Sequence, residues 1–320
     1  MLFFLFVSLS VSVSEKCHPD DKKVLLQIKK ELHNPSDLAS WNPKTDCCQW
    51  TVVGCGGKAN RITVFHFSEA NLKRRPIPAA VGDLPYLQSL TFRNTNVTGL
   101  IPTTISNLSD LFFLNLEYNL LTGPLPAFLT KLKKLQFLLL SYNRLTGSIP
   151  PSLSQLPKLK SLLLDGNRLT GAIPETFADF RNHQIYLFLS YNQLSGPIPS
   201  KLGNANFSEI HVSGNNLEGD ISFLFGKSKR LAVGDFSRNH FHFDLSNLHF
   251  SDSLTNLDLS QNKIYGSIPK DLSSTGIIML NVSYNSLCGP IPELGTFQTF
   301  DYTSFIHNKC LCGKPLPACK

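Results

Sequence analysis

The sequence predicts an α/β solenoid: ten stacked units of about 24 residues in a curved right-handed superhelix, with parallel strands on the concave face. Three observations predict it: an asparagine that returns every 23 to 25 residues, apolar residues, mostly leucines, three and five residues before it, and cysteines confined to the two ends. The stretches LFFLNLEYNLLTGPLP, LQFLLLSYNRLTGSIP and LKSLLLDGNRLTGAIP place Asn119, Asn143 and Asn167 at intervals of 24 residues. The series continues at Asn192, Asn215, Asn239, Asn262 and Asn285. Upstream, Thr95 takes the asparagine place, and Ala70 takes it in an irregular first unit. A chain of 320 residues is long for one closed core, and repetition resolves that difficulty.

The register LxxLxLxxNxLxGxIP is the leucine-rich repeat pattern. The two leucines fill one continuous core, and each unit buries its apolar face only against its neighbours. The asparagine side chain pairs with backbone at the turn, so that turning polar groups stay satisfied. Gly and Pro then break the strand and send the chain across the outer face. Both ends of such a stack need closing. Before the repeats, DDKKVLLQIKKEL sets Val24, Leu25, Ile28 and Leu32 at helical spacing, with Asp20 and Asp21 at the positive end of the helix dipole. After them comes a short cysteine-rich closure. The expected organisation is a signal peptide over 1–14, an N-terminal cysteine cap over 15–59, repeats over 60–295 and a C-terminal cysteine cap over 296–320.

Residues 1–14 are apolar and uncharged, and Ser12 and Ser14 fit a signal-peptidase site, although no basic n-region precedes them. No later run of about 18 apolar residues exists, so no membrane anchor is expected. Cys17, Cys47, Cys48 and Cys55 lie near the start, and Cys288, Cys310, Cys312 and Cys319 near the end. Eight cysteines so grouped read as disulfide-stapled caps in an oxidising compartment. Zinc is the rival, but no CxxC occurs and adjacent Cys47 and Cys48 suit a tetrahedral site poorly. Asn96, Asn107, Asn206 and Asn281 sit in glycosylation sequons. Thirty Lys and Arg against 23 Asp and Glu give a net charge of +7, which suits an anionic partner. The basic residues are scattered in short clusters, and most of them read as solvated surface.

The GxIP step resembles the plant-specific repeats of this class. TDCCQW, ISFLFGK, NKIYGSIP and NVSYNSLCGPIP with NKCLCGKPLPAC are similar to stretches of the plant polygalacturonase-inhibiting proteins, and the resemblance runs from Glu15 to Lys320. It implies a secreted cell-wall protein that binds fungal or insect endopolygalacturonases through its concave face and slows pectin cleavage. It also implies the pairs Cys17–Cys47, Cys48–Cys55, Cys288–Cys310 and Cys312–Cys319, where eight cysteines alone permit 105 connectivities. Inhibitory members carry acidic and polar residues on the central concave strands. Here only Asp165 keeps the acidic type, with Leu139 and His211 at two other such places. Of the positions linked to pectin binding, Tyr191, Gly214, Arg238 and Ser260, only Arg238 is basic.

Strand residues alternate between faces, so those four and six before each asparagine point away from the core. In the middle units these gather Phe113, Phe137, Leu139, Leu163, Tyr186 and Phe188 into one exposed patch flanked by Tyr118, Tyr142 and Tyr191. An aromatic exposed patch marks a binding surface; the competing reading is that the inner face shields these side chains and they prop its curvature. Asn115, Glu117, Lys160, Asp165, His211 and Asp235 are expected to form a polar rim.

Enzymatic readings find little support. Asp235 and Asp258 stack in adjacent units, about 5 Å apart as in retaining glycosidases, but with no substrate cleft implied. Gly226-Lys227-Ser228 lacks the first glycine of a phosphate loop, since Ile221 stands there. His240 and His242 have no third metal ligand, and neither GxSxG nor HExxH occurs. No catalytic residue, metal or cofactor is expected. Ice binding is the alternative function, because a plant antifreeze protein shares this architecture. Its support is a serine column two residues before the asparagine, at Ser141, Ser190, Ser213, Ser237, Ser260 and Ser283, interrupted by Arg93, Glu117 and Asp165. A soluble recognition module for a peptide or wall fragment is a third reading.

Overall fold

The computed structural model describes residues 16–57, 59–180, 184–205, 207–293 and 295–320. The proposed signal peptide and the sequon at Asn206 lie outside the described residues. Ten short parallel strands follow one another in chain order to form the main sheet: Arg61–Ser68, Ser89–Arg93, Phe113–Asn115, Phe137–Leu139, Ser161–Leu163, Ile185–Phe188, Phe207–His211, Val233–Asp235, Asn256–Asp258 and Met279–Asn281. An eleventh strand, Val53–Gly56, pairs antiparallel with the first and closes that edge. Leucines five and three residues before the asparagine, such as Leu114, Leu116, Leu138, Leu140, Leu162 and Leu164, are all 0% exposed. Each contributes roughly 1.5–3 kcal/mol of burial.

The asparagine ladder fixes the turn. Asn143 Nδ2 donates to the Leu116 carbonyl of the preceding unit at 2.8 Å and to the Leu140 carbonyl of its own at 3.1 Å. Its Oδ1 accepts from Leu121 N at 3.0 Å. One side chain therefore ties two units together without leaving a buried amide atom unpaired. Asn119, Asn167, Asn192 and Asn239 repeat the arrangement. Asn308 makes the same bonds, to the Val282 and Phe305 carbonyls and from Leu287 N, so the ladder runs one rung into the cysteine-rich end.

After each turn the chain forms a second parallel sheet, which the sequence pattern did not announce. Its seven strands are Thr98–Gly99, Leu120–Pro124, Arg144–Ser148, Arg168–Gly171, Gln193–Pro197, Asn216–Gly219 and His240–Phe241. A glycine such as Gly147, at φ +77°, then turns the chain, and a proline opens a short 3₁₀ turn on the far side. Helical content is correspondingly small. The α-helices among the described residues are Pro19–Glu31 and Lys270–Ser273.

The N-terminal helix buries Leu25, Ile28 and Leu32 against the first unit. Asp20 remains exposed in its first turn, but Asp21 is not a surface partner of the dipole. It is 1% exposed, accepts from Arg61 Nε at 2.9 Å and Nη2 at 2.6 Å, and accepts from Ile62 N at 2.7 Å. The first repeat strand is thereby locked to the cap. Four disulfides, Cys17–Cys47, Cys48–Cys55, Cys288–Cys310 and Cys312–Cys319, close the two ends. Among the described residues, no helix is long and apolar enough to cross a membrane.

Candidate functional site

The main-sheet face is set by strand register. One column reads Asn115, Leu139, Leu163, Phe188, His211, Asp235, Asp258, Asn281, each the Cα partner of the next. A second runs Phe113, Phe137, Ser161, Tyr186, Glu209, Val233. Because strands this short present only these two positions, neighbouring units decide what each side chain touches. The Phe113 and Phe137 rings lie 5.8 Å apart, and Phe188 lies 4.3 Å from His211. Phe113, Phe137, Leu139, Leu163 and Phe188 are half-buried, and Tyr186 is 36% exposed. The apolar residues thus meet as one strip, with part of each flank covered by its neighbours.

Above the strip runs a ridge of tyrosines. Each precedes its asparagine and takes a left-handed backbone, as at Tyr118, Tyr142 and Tyr191. Tyr118 and Tyr142 stack at 4.6 Å with ring planes 10° apart, and the Arg93 guanidinium covers the outer face of Tyr118 at 5.0 Å. Gly166 takes the equivalent place in the next unit because a Cβ there would stand 2.7 Å from the Tyr142 ring.

The expected polar rim is only partly a rim. Lys160 and Arg238 are exposed. Asn115 is 7% exposed: its amide donates to Glu117 at 3.2 Å and its carbonyl accepts from Glu117 N, so it braces Glu117 and offers little to a partner. Asp165 accepts from Ser190 N at 2.8 Å and from Ser141 Oγ at 3.2 Å, spanning three units. Burial outweighs these bonds and raises its pKa to about 6. Burial likewise pushes Glu117 and Asp258 above the usual carboxylate range. His211 is held below the usual histidine value, again chiefly by burial. Its Nε2 is buried without a hydrogen bond, with Glu209 Oε2 3.5 Å away, beyond good bonding distance. Asp165, Phe188, His211 and Asp235, with Tyr142, Ser190, Tyr191 and Ser213, line an open depression of about 230 Å³.

Asp235 and Asp258 are cross-strand neighbours, but each carboxylate is engaged locally. Asp235 accepts from Ser237 N and Oγ, and Asp258 from Ser260 N and Asn281 Nδ2. Asn281, one of the sequons, therefore sits on this face, whereas Asn107 is exposed in a 3₁₀ turn and Asn96 is bonded to Asn71. His240 bonds Asn216 and His242 packs on Tyr265. The serine column is not a surface. Ser141, Ser190, Ser213, Ser237, Ser260 and Ser283 are between 1% and 8% exposed. Each strand ends four residues before its asparagine, so alternation stops there and the serine turns under the chain.

The N-terminal segment 18–56 matches the family model described as "Leucine rich repeat N-terminal domain". Residues 134–156, 158–180, 185–205 and 253–275 match "Leucine Rich Repeat". The chain is 57% identical to "Polygalacturonase inhibitor 2" of Arabidopsis thaliana, over 100% of this chain and 98% of the relative. It is 56% identical to "Polygalacturonase inhibitor" of Vitis vinifera, over 97% and 93%. Among solved structures it resembles a plant ice-binding protein, with a TM-score of 0.93 and 48% identity, over 96% of this chain and 99% of that one.

Proposed function

The chain belongs to the plant polygalacturonase inhibitors, a family of leucine-rich repeat proteins, and from that premise we propose that it is a secreted, non-enzymatic cell-wall inhibitor of microbial endopolygalacturonases. The observation that carries the reading is the apolar strip on the main-sheet face. A partner that covers Phe113, Phe137, Leu139, Leu163, Tyr186 and Phe188 removes half-exposed apolar surface from water at the centre of the contact. Asp165, His211 and Asp235 at one end of the strip, with Lys160 and Arg238 beside it, orient that partner. Inhibition follows by occlusion: an enzyme whose substrate groove rests against this face has no room for the pectin chain. Assaying pectin cleavage by several fungal enzymes, with and without the pure protein, tests the proposal; cleavage unchanged in every case refutes it.

The solved ice-binding relative favours ice as the second reading. Its proposed basis here is weakened, because the serines that would make a regular hydroxyl array are buried. A recrystallisation assay separates the two readings.

A further inference from the structure

The far end of the second sheet carries two histidines that the inhibitor reading leaves unused. Along the strand His240–Phe241 and the residues after it, His240, His242 and Asp244 are exposed, while Phe241 and Phe243 between them are 0% and 3% exposed. Alternation therefore sets both imidazoles on one outward face, with their Cα atoms about 7 Å apart. Sequence proximity offers them no third metal ligand, but the sheet register does. Glu218, also exposed, is the Cα partner of His240 on the neighbouring strand, roughly 4.8 Å across. The ladder continues past this pair, because His242 N donates to the Gly219 carbonyl at 2.9 Å. His240 already reaches over the strand of Glu218: its Nε2 lies 3.0 Å from Asn216 Oδ1. His242 packs on Tyr265 instead, with ring centroids 4.8 Å apart. Both contacts are between exposed side chains, so either ring leaves its contact by rotamer change alone.

We infer that His240, His242 and Glu218 form a site for a divalent transition-metal ion of the zinc type, with water in the fourth position. Two imidazoles and one carboxylate are a donor set that zinc accepts in tetrahedral geometry, at about 2.0–2.2 Å from each donor atom. Imidazole also selects such ions over magnesium and calcium, which take oxygen ligands. In the observed rotamers the three donors have not converged, so the ion gathers side chains that the backbone already holds on one face. Charge assists it. Asp244 is the next outward residue, and hydrogen bonds from Ser246 hold its carboxyl below the usual carboxylate range. On the other side of the strand, Lys263 N donates to the Phe241 carbonyl, which places that cation beside His242 and directs the ion towards Glu218. No thiolate competes, since all eight cysteines are paired. The site is separate from the apolar strip, and the inference does not depend on the inhibitor reading.

The test uses the full chain without a polyhistidine tag, stripped of metal with EDTA and titrated calorimetrically with zinc chloride at about pH 7.5. The inference predicts one zinc ion per chain, bound with a dissociation constant on the order of 1–10 μM and not displaced by excess magnesium. The His240→Ala/His242→Ala double variant should weaken binding about a hundredfold, and Glu218→Gln about tenfold. His249→Ala, which removes an exposed histidine beside Asp271 instead, should bind zinc as the wild type does. All the substituted side chains lie in solvent, so melting temperatures in EDTA should agree, and zinc should raise only those of the proteins that bind it. Absence of saturable zinc binding by the wild type overturns the inference, as does undiminished binding by the double variant. Binding by Glu218→Gln equal to that of the wild type also overturns it, because the third ligand supplied by the sheet register would then play no part.

Discussion

Asp165→Asn should change how stability depends on pH. In the folded chain this carboxyl sits among Ser141, Ser190 and Tyr142, and burial raises its pKa from 3.8 to about 6. Between roughly pH 4 and pH 6 the native state keeps a proton that the unfolded chain has released, so stability falls as pH rises through that window. A rise of that size corresponds to about 3 kcal/mol, fully felt at pH 7 and absent below about pH 4. An asparagine carries no such cost. Urea unfolding of both proteins at pH 4, 5, 6 and 7 should therefore show the difference, variant minus wild type, moving by about 3 kcal/mol in favour of the variant as pH rises. Differences cancel titrating groups that do not interact with Asp165; Glu117, whose charge also raises the Asp165 pKa, adds a smaller contribution to the difference. A difference that stays constant from pH 4 to pH 7 would refute the assignment of a proton to Asp165.

Asn143→Ala should lower stability by about 3–5 kcal/mol, because it strands the Leu116 and Leu140 carbonyls and Leu121 N in the core; thermal unfolding measures it. Asp21→Ala leaves the Arg61 guanidinium and Ile62 N without their acceptor, and should cost about 3 kcal/mol by the same measurement. Both effects should appear without any change in the residues of the main-sheet face.

The solenoid is legible in the sequence because its signal is redundant: five units carry leucine both three and five residues before the asparagine, Phe, Ile or Val fills most of those places in the others, and one register buries them all. The two outward columns follow from strand parity alone. The second sheet is not legible, since its strands are two to five residues long and rich in Gly and Pro, which read locally as turn. Parity also misleads at the serines, where it runs past the end of the strand. Asn115 departs from the expected rim because its neighbour Glu117 is two residues away in the turn and draws the amide inward. Asp21 looks like a helix-end charge in the sequence because Arg61, its partner, is 40 residues distant. The ninth asparagine rung is visible in principle, since Asn308 follows Asn285 by the repeat interval, but the cysteines around it suggest a cap.

Phe188→Glu and Leu139→Glu place a charge in the middle of the apolar strip without touching the core leucines. The decisive measurement is the inhibition of a susceptible polygalacturonase by the wild-type protein and by these two variants, alongside their melting temperatures. The inhibitor account predicts inhibition by the wild type, its loss in both variants, and melting temperatures that hardly move. Variants that inhibit as well as the wild type would contradict it.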